Sequence, residues 1–150
     1  MTDQQRLPAP PVHASGRAGR LRSLNVLVVD DHEDSRELLA MILEGAGAKV
    51  TQAESVSVAL QAVAANDFGV LVSDIGMPGE DGYALISRLR SASESPERRA
   101  IPAVAVTAFS APEDRNRVLA AGFQAYLSKP VDVEALVDVV ARLAQTAVSL

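Results

Sequence analysis

From Leu24 to the C-terminal region, short apolar runs alternate with stretches whose apolar residues recur at helical spacing. The runs are 25–29 (NVLVV), 49–53 (KVTQA), 70–73 (VLVS), 103–107 (AVAVT) and 125–127 (AYL). Their length and β-branched content predict strands. Between them, sets such as Leu38, Leu39, Ile42 and Leu43, or Val56, Ala59, Leu60 and Val63, predict amphipathic helices. Gly45 and Gly47 are expected to end the first helix, Asn66 the second and Gly122 the fourth, each as a left-handed cap.

Five strand–helix units result. Strands apolar on both faces and separated by helices imply a parallel sheet covered on both sides. The expected fold class is therefore α/β, a five-stranded doubly wound sheet with helices on both faces. Residues 1–23 break the pattern, with Pro8, Pro10, Pro11, Gly16 and Gly19 among few large apolar side chains. Such composition cannot offset the entropy of ordering, so residues 1–23 are expected to be a tail or linker and residues 24–150 one domain.

Charge sharpens this division. Arg6, Arg17, Arg20 and Arg22 against Asp3 give the tail a local +3, leaving −8 for the rest of the formal −5. An acidic folded part repels phosphate backbones, so no direct contact with nucleic acid is expected. The chain has no cysteine, which excludes disulfides, thiolate metal sites and a thiol nucleophile. No apolar run reaches the roughly 18 residues of a membrane span. A cytoplasmic protein with no membrane partner is the expectation.

In doubly wound sheets, ligands bind beyond the carboxyl ends of the strands. There the sequence puts Asp30 and Asp31 after the first strand, Asp74 after the third, Thr107 at the end of the fourth and Lys129 after the fifth. Three clustered carboxylates repel one another unless a cation or protons neutralise them. All-oxygen donors with positions left for water and phosphate suit Mg²⁺. Helix capping offers a simpler role for one of these aspartates, but hardly for three at one edge.

Flanked by Gly76 and Gly79, Asp74 is expected to present an open carboxylate beside the metal, which makes it a candidate nucleophile. The Lys129 ammonium and Thr107 hydroxyl would neutralise charge on a transferring phosphoryl group from other sides. His32 reads as an exposed cap-region residue, His13 as a tail residue, Met77 as a loop residue packing on the sheet edge, and Arg98 and Arg99 as a solvated pair.

The segments 28–31 (VVDD), 73–82 (SDIGMPGEDG), 106–108 (VTA) and 125–130 (AYLSKP) closely resemble the receiver domain of two-component response regulators. The resemblance covers nearly the whole folded part. It implies a flavodoxin-like sheet of order 2-1-3-4-5, with Asp74 as phosphoacceptor and a histidine kinase or histidine phosphotransfer protein as phosphodonor. It also implies a Mg²⁺ site of Asp30, Asp31, Asp74 and the Gly76 carbonyl. Asp31 and Gly76 would bind directly, Asp30 through water. Thr107 and Tyr126 become a switch pair, Lys129 the phosphate-binding lysine, and the Lys129–Pro130 bond cis. Such a chain is not a conventional enzyme; it catalyses its own phosphorylation and a slow dephosphorylation. Slow loss is expected because Gly76 offers no polar side chain to hold a water and Phe109 could shield the phosphoryl group.

Two other functions compete. A phosphohydrolase of the haloacid dehalogenase type also uses an aspartyl nucleophile and Mg²⁺, but needs a second aspartate two residues on, where this chain has Gly76. A docking module that is never phosphorylated would not need Asp74, Thr107 and Lys129 together. The Pro-rich start resembles receivers at the C-terminus of hybrid sensor histidine kinases, whereas Met1 suits a stand-alone regulator. The sequence leaves both open, along with the cognate kinase, downstream partner and oligomeric state.

Overall fold

The computed structural model describes residues 19–77, 79–92, 96–108 and 112–148. Tail residues 1–18, including His13, lie outside this set, as do Pro78 and Phe109. The strands are β1 (Asn25–Val29), β2 (Lys49–Ala53), β3 (Val70–Asp74), β4 (Ala103–Thr107) and β5 (Ala125–Ser128). The helices are α1 (Glu33–Gly45), α2 (Val56–Ala65), α3 (Gly82–Ala92), α4 (Pro112–Ala121) and α5 (Val133–Val148), with a single helical turn at Pro96–Arg99. All strand pairs are parallel, and the sheet order is β2-β1-β3-β4-β5, as expected.

Alternation along each strand sends neighbouring side chains to opposite faces, so one strand feeds two cores. Leu27 and Val29 pack with Leu71, Ala105 and the buried faces of α2 and α3, including Ala59, Val63, Leu85, Ile86 and Leu89. Val26 and Val28 pack with Val72, Val104 and Val106 against Leu39 and Leu43 of α1 and Leu136, Val137 and Val140 of α5. β1, β3 and β4 are almost wholly buried, which explains their unbroken apolar sequence. β2, at one edge, is largely exposed.

Three details differ from the sequence expectation. Leu21, assigned by composition to the tail, is buried in the second core; its N–H donates to Ala46 O at 2.8 Å, so packing begins before residue 24. Gly45 is still helical, and the reversal after α1 falls on Gly47 at φ +104°. Asn66 is extended (φ −141°, ψ 159°) rather than left-handed; it closes α2 by donating its backbone N–H and side-chain amide to Ala62 O. Gly122 does adopt positive φ, at +124°.

Candidate functional site

The parallel register sets the carboxyl ends of the strands side by side. Val29 of β1 pairs with Ser73 of β3, Asp74 with Val106, and Thr107 with Ser128 of β5. The next residue of each chain segment therefore emerges on the same rim. A backbone bond from Lys129 N–H to Thr107 O, at 2.9 Å, continues the sheet pattern by one step and holds the lysine beside the threonine.

The expected side chains meet there. Lys129 Nζ lies 3.3 Å from Asp30 Oδ2 and 3.5 Å from Asp74 Oδ2, bridging the two carboxylates. Asp30 is 0% exposed, Asp74 4% and Thr107 1%. Charges so deeply placed demand partners. Asp30 has them: Oδ1 accepts the His32 N–H at 2.9 Å, and Oδ2 accepts the Ser35 hydroxyl at 2.6 Å. The Asp74 carboxylate accepts the Gly76 N–H at 3.3 Å. Burial pushes the Asp74 carboxyl above its ordinary value and the Asp30 charge adds to this, outweighing the pull of Lys129 and of the Gly76 and Ile75 N–H groups.

Asp31 differs. Its Oδ1 is buried and makes no hydrogen bond. One ligand atom from each of Asp30, Asp31, His32 and Asp74 falls within 4.8 Å of the others. An orphaned carboxylate oxygen within a cluster of oxygen donors fits a hard divalent cation, whose charge would offset the repulsion that Lys129 alone leaves. The capping alternative fails for Asp31, because the N-cap of α1 is His32. Gly76 is exposed at the rim, directly after the strand that carries Asp74.

Gly82 could not be replaced without moving the site. A Cβ there would stand 2.5 Å from Asp74 O and 2.9 Å from Ile75 Cα. Its N–H closes the loop on Ile75 O at 3.0 Å. Met77, expected to pack on the sheet edge, is buried in the first core. The Lys129–Pro130 bond is cis. Tyr126 packs half-buried against the first core, with its hydroxyl oxygen buried and without a hydrogen-bond partner.

Sequence reasoning missed Ser35 and Arg36. One turn into α1, they reach back to the strand end, Ser35 to the Asp30 carboxylate and Arg36 Nη1 to Asp30 O at 3.1 Å. The available signal was spacing: a helix starting just after an acidic pair returns its first turn over that pair.

Comparison with known proteins agrees with this geometry. The chain is 43% identical over 120 residues to an uncharacterised 14.6 kDa protein of Leptolyngbya boryana, covering 80% of this chain and 89% of that one. It is 38% identical over 125 residues to the sensory/regulatory protein RpfC of Xanthomonas campestris and 37% identical over 120 residues to the sensor histidine kinase RcsC of Salmonella typhi. These matches cover 83% and 80% of this chain, which spans only 17% of RpfC and 12% of RcsC. The receiver domain of a signal transduction histidine kinase from Syntrophus aciditrophicus superposes with a TM-score of 0.74 at 30% identity, covering 83% of this chain and 92% of that structure. The Francisella response regulator 1452 receiver domain gives 0.75 at 27%, covering 83% and 98%. Residues 26–141 match the family model of the response regulator receiver domain, and the chain belongs to that family.

Proposed function

We propose that this receiver domain accepts a phosphoryl group on Asp74, from a phosphohistidine of a sensor kinase or phosphotransfer protein, with Mg²⁺ held by Asp31, Asp74 and the Gly76 carbonyl and, through water, by Asp30. The observation that carries this reading is the bridge from Lys129 Nζ to the buried Asp30 and Asp74 carboxylates, beside an orphaned Asp31 oxygen. Mg²⁺, when bound, supplies positive charge for the oxygens of the transferring group. The chain's own residues do the rest. An Asp74 carboxylate oxygen attacks phosphorus as the P–N bond of phosphohistidine breaks, and the imidazole nitrogen leaves with its electron pair and takes up a proton. The product is an acyl phosphate on Asp74. Lys129 exchanges its contact with the carboxylate for one with a phosphoryl oxygen.

The same rim offers the output. Drawn inward by a charge-assisted hydrogen bond to the phosphoryl group, the Thr107 hydroxyl vacates space that the Tyr126 ring fills, and the surface of α4, β5 and α5 repacks for a downstream protein. The unpartnered Tyr126 hydroxyl supports this, since no hydrogen bond must break for the ring to move. The domain acts in the cytoplasm, where the kinase's phosphodonor resides.

Acetyl phosphate with Mg²⁺ is the test. One acid-stable, base-labile phosphoryl group is expected per chain, and none on Asp74→Ala. Labelling that persists in this variant would move the acceptor elsewhere and defeat the proposal. Loss of label should be slow in the parent and faster in Gly76→Asn. Thr107→Ala should still be phosphorylated, yet leave the amide signals around Tyr126 unshifted in NMR spectra; parent-like shifts would remove the hydroxyl as trigger.

A further inference from the structure

Helix α4 is held to the rest of the fold by little apolar surface. Its sequence, PEDRNRVLAA, is charged or polar from Glu113 to Arg117. Among its described residues only Val118 is fully buried in the first core, with Ala121 packed partly buried against it and Leu119 turned outward, 42% exposed. An element with so few buried apolar contacts belongs to the less stable part of a structure, the part from which moving elements are drawn.

One further contact ties α4 down. The Arg117 guanidinium stands over the Tyr83 ring, its central carbon 4.2 Å from the ring centroid, which is cation–π geometry. Arg117 is exposed, and among the described residues this ring is the partner of its guanidinium. Tyr83 cannot follow α4. It is the second residue of α3, directly after Gly82, whose N–H bonds to Ile75 O at 3.0 Å and whose missing side chain leaves room for Asp74 O. Its ring packs partly buried against the first core, as that of Tyr126 does. One partner of the contact is thereby fixed to the loop behind the acceptor aspartate, and the other rides on the helix.

We infer that the Arg117–Tyr83 contact is a latch that holds α4 in its resting position and so sets how often the unphosphorylated domain samples the switched one. This latch presupposes the proposed switch, in which α4 repacks as Tyr126 moves. A displacement of α4 against the sheet shifts Arg117 away from a ring that stays with α3, so the contact favours the resting arrangement alone. A cation–π pair at an exposed site is worth a factor of about two to five in such an equilibrium. That is too little to hold a deeply packed helix and enough to bias one anchored chiefly by Val118.

Relaxation dispersion at the amides around Tyr126, on the full chain with Mg²⁺ and no phosphodonor, tests this on the parent, Arg117→Gln, Tyr83→Leu, Tyr83→Phe and the double variant of the first two. Arg117→Gln and Tyr83→Leu should each raise the ratio of switched to resting molecules about two- to fivefold, and the double variant no further, since either change removes the whole contact. Tyr83→Phe keeps the ring face and should match the parent. The Arg117 side-chain protons, displaced upfield by the ring in the resting parent, should lose that displacement when acetyl phosphate is added. A parent whose Tyr126 signals move on phosphorylation, but whose minor population is unchanged in Arg117→Gln, overturns the latch and leaves the switch intact. So does a Tyr83→Phe variant that behaves as Tyr83→Leu, or a double variant whose effect is the product of the two single ones. Tyr126 signals that stay in place in the phosphorylated parent overturn both.

Discussion

The two ends of the sheet bury charge in opposite ways. At the amino end, the guanidinium of Arg90 is half-buried between the segments that lead into β4 and β5. It makes five hydrogen bonds, all to neutral oxygens: two to Gly122 O and one each to Arg99 O, Ile101 O and Gln124 Oε1. At the carboxyl end, two of three clustered carboxylates share one ammonium, and a buried oxygen of the third, Asp31, has no hydrogen bond. The first arrangement is saturated, and its planar fork of donors fixes the loops it touches. The second is under-compensated and leaves charge for a further cation to offset. Burial of charge therefore does not by itself mark a function; incomplete satisfaction of that charge does.

The contrast is most severely tested by Arg90→Ala. Deleting the fork strands three backbone carbonyls in two segments, and a loss of about 2–4 kcal/mol is expected in urea unfolding, with phosphoryl uptake per folded molecule unchanged. Arg90→Lys should recover little of this, because a single ammonium cannot reproduce the fork. A loss below about 1 kcal/mol for Arg90→Ala would show that the corner is not structural.

Asp74→Asn probes the opposite end and should have the opposite sign. The folded-state pKa of Asp74 is raised from its ordinary 3.8, chiefly by burial. Its protonated form thus favours the fold: the contribution is full below the ordinary carboxylate value and is lost as pH rises through the raised one. At neutral pH without metal, Asp74→Asn should stabilise the protein by on the order of 1 kcal/mol. The difference in melting temperature between variant and parent should shrink as pH falls, and Mg²⁺ should stabilise the parent more than the variant. A difference that grows on acidification would mean that Lys129, not burial, governs this carboxyl.

The smallest effect is expected for Ser35→Ala, which removes one hydroxyl from the best-satisfied of the three aspartates. A loss of about 0.5–1 kcal/mol is predicted in the same unfolding measurement. A larger one would place Asp30 closer to the Arg90 kind of site than to that of its neighbours.

The carboxyl end was far more legible in the sequence than the amino end, for a physical reason. Asp30, Asp31, Asp74, Thr107 and Lys129 each follow or close an apolar run, and a parallel sheet converts that one-dimensional position into a shared rim. Strand period and helix spacing are local signals, so the five strands and their helices could be read as well. Arg90 carries no such signal: along the chain it is a basic residue near a helix end, and its partners lie 9 to 34 positions away. Leu21 is a lone apolar residue among arginines and a glycine, and its burial arises from contact with Ala46 rather than from any periodicity. His32 was legible as an exposed cap-region residue but not as a direction: its ring lies beside the Asp30 and Asp31 carboxylates and makes no capping hydrogen bond.

Asp30 and Lys129 touch across 99 positions of sequence. During synthesis, Asp30 and Asp74 are both made before the cation that contacts them, and they meet it only once β5 has joined the sheet. A nascent or truncated chain that exposes Asp74 without Lys129 has a carboxylate but no place for a phosphoryl group. On the proposed function, modification at this residue would certify a finished molecule: the signal would not be written on a chain that has not completed its fold.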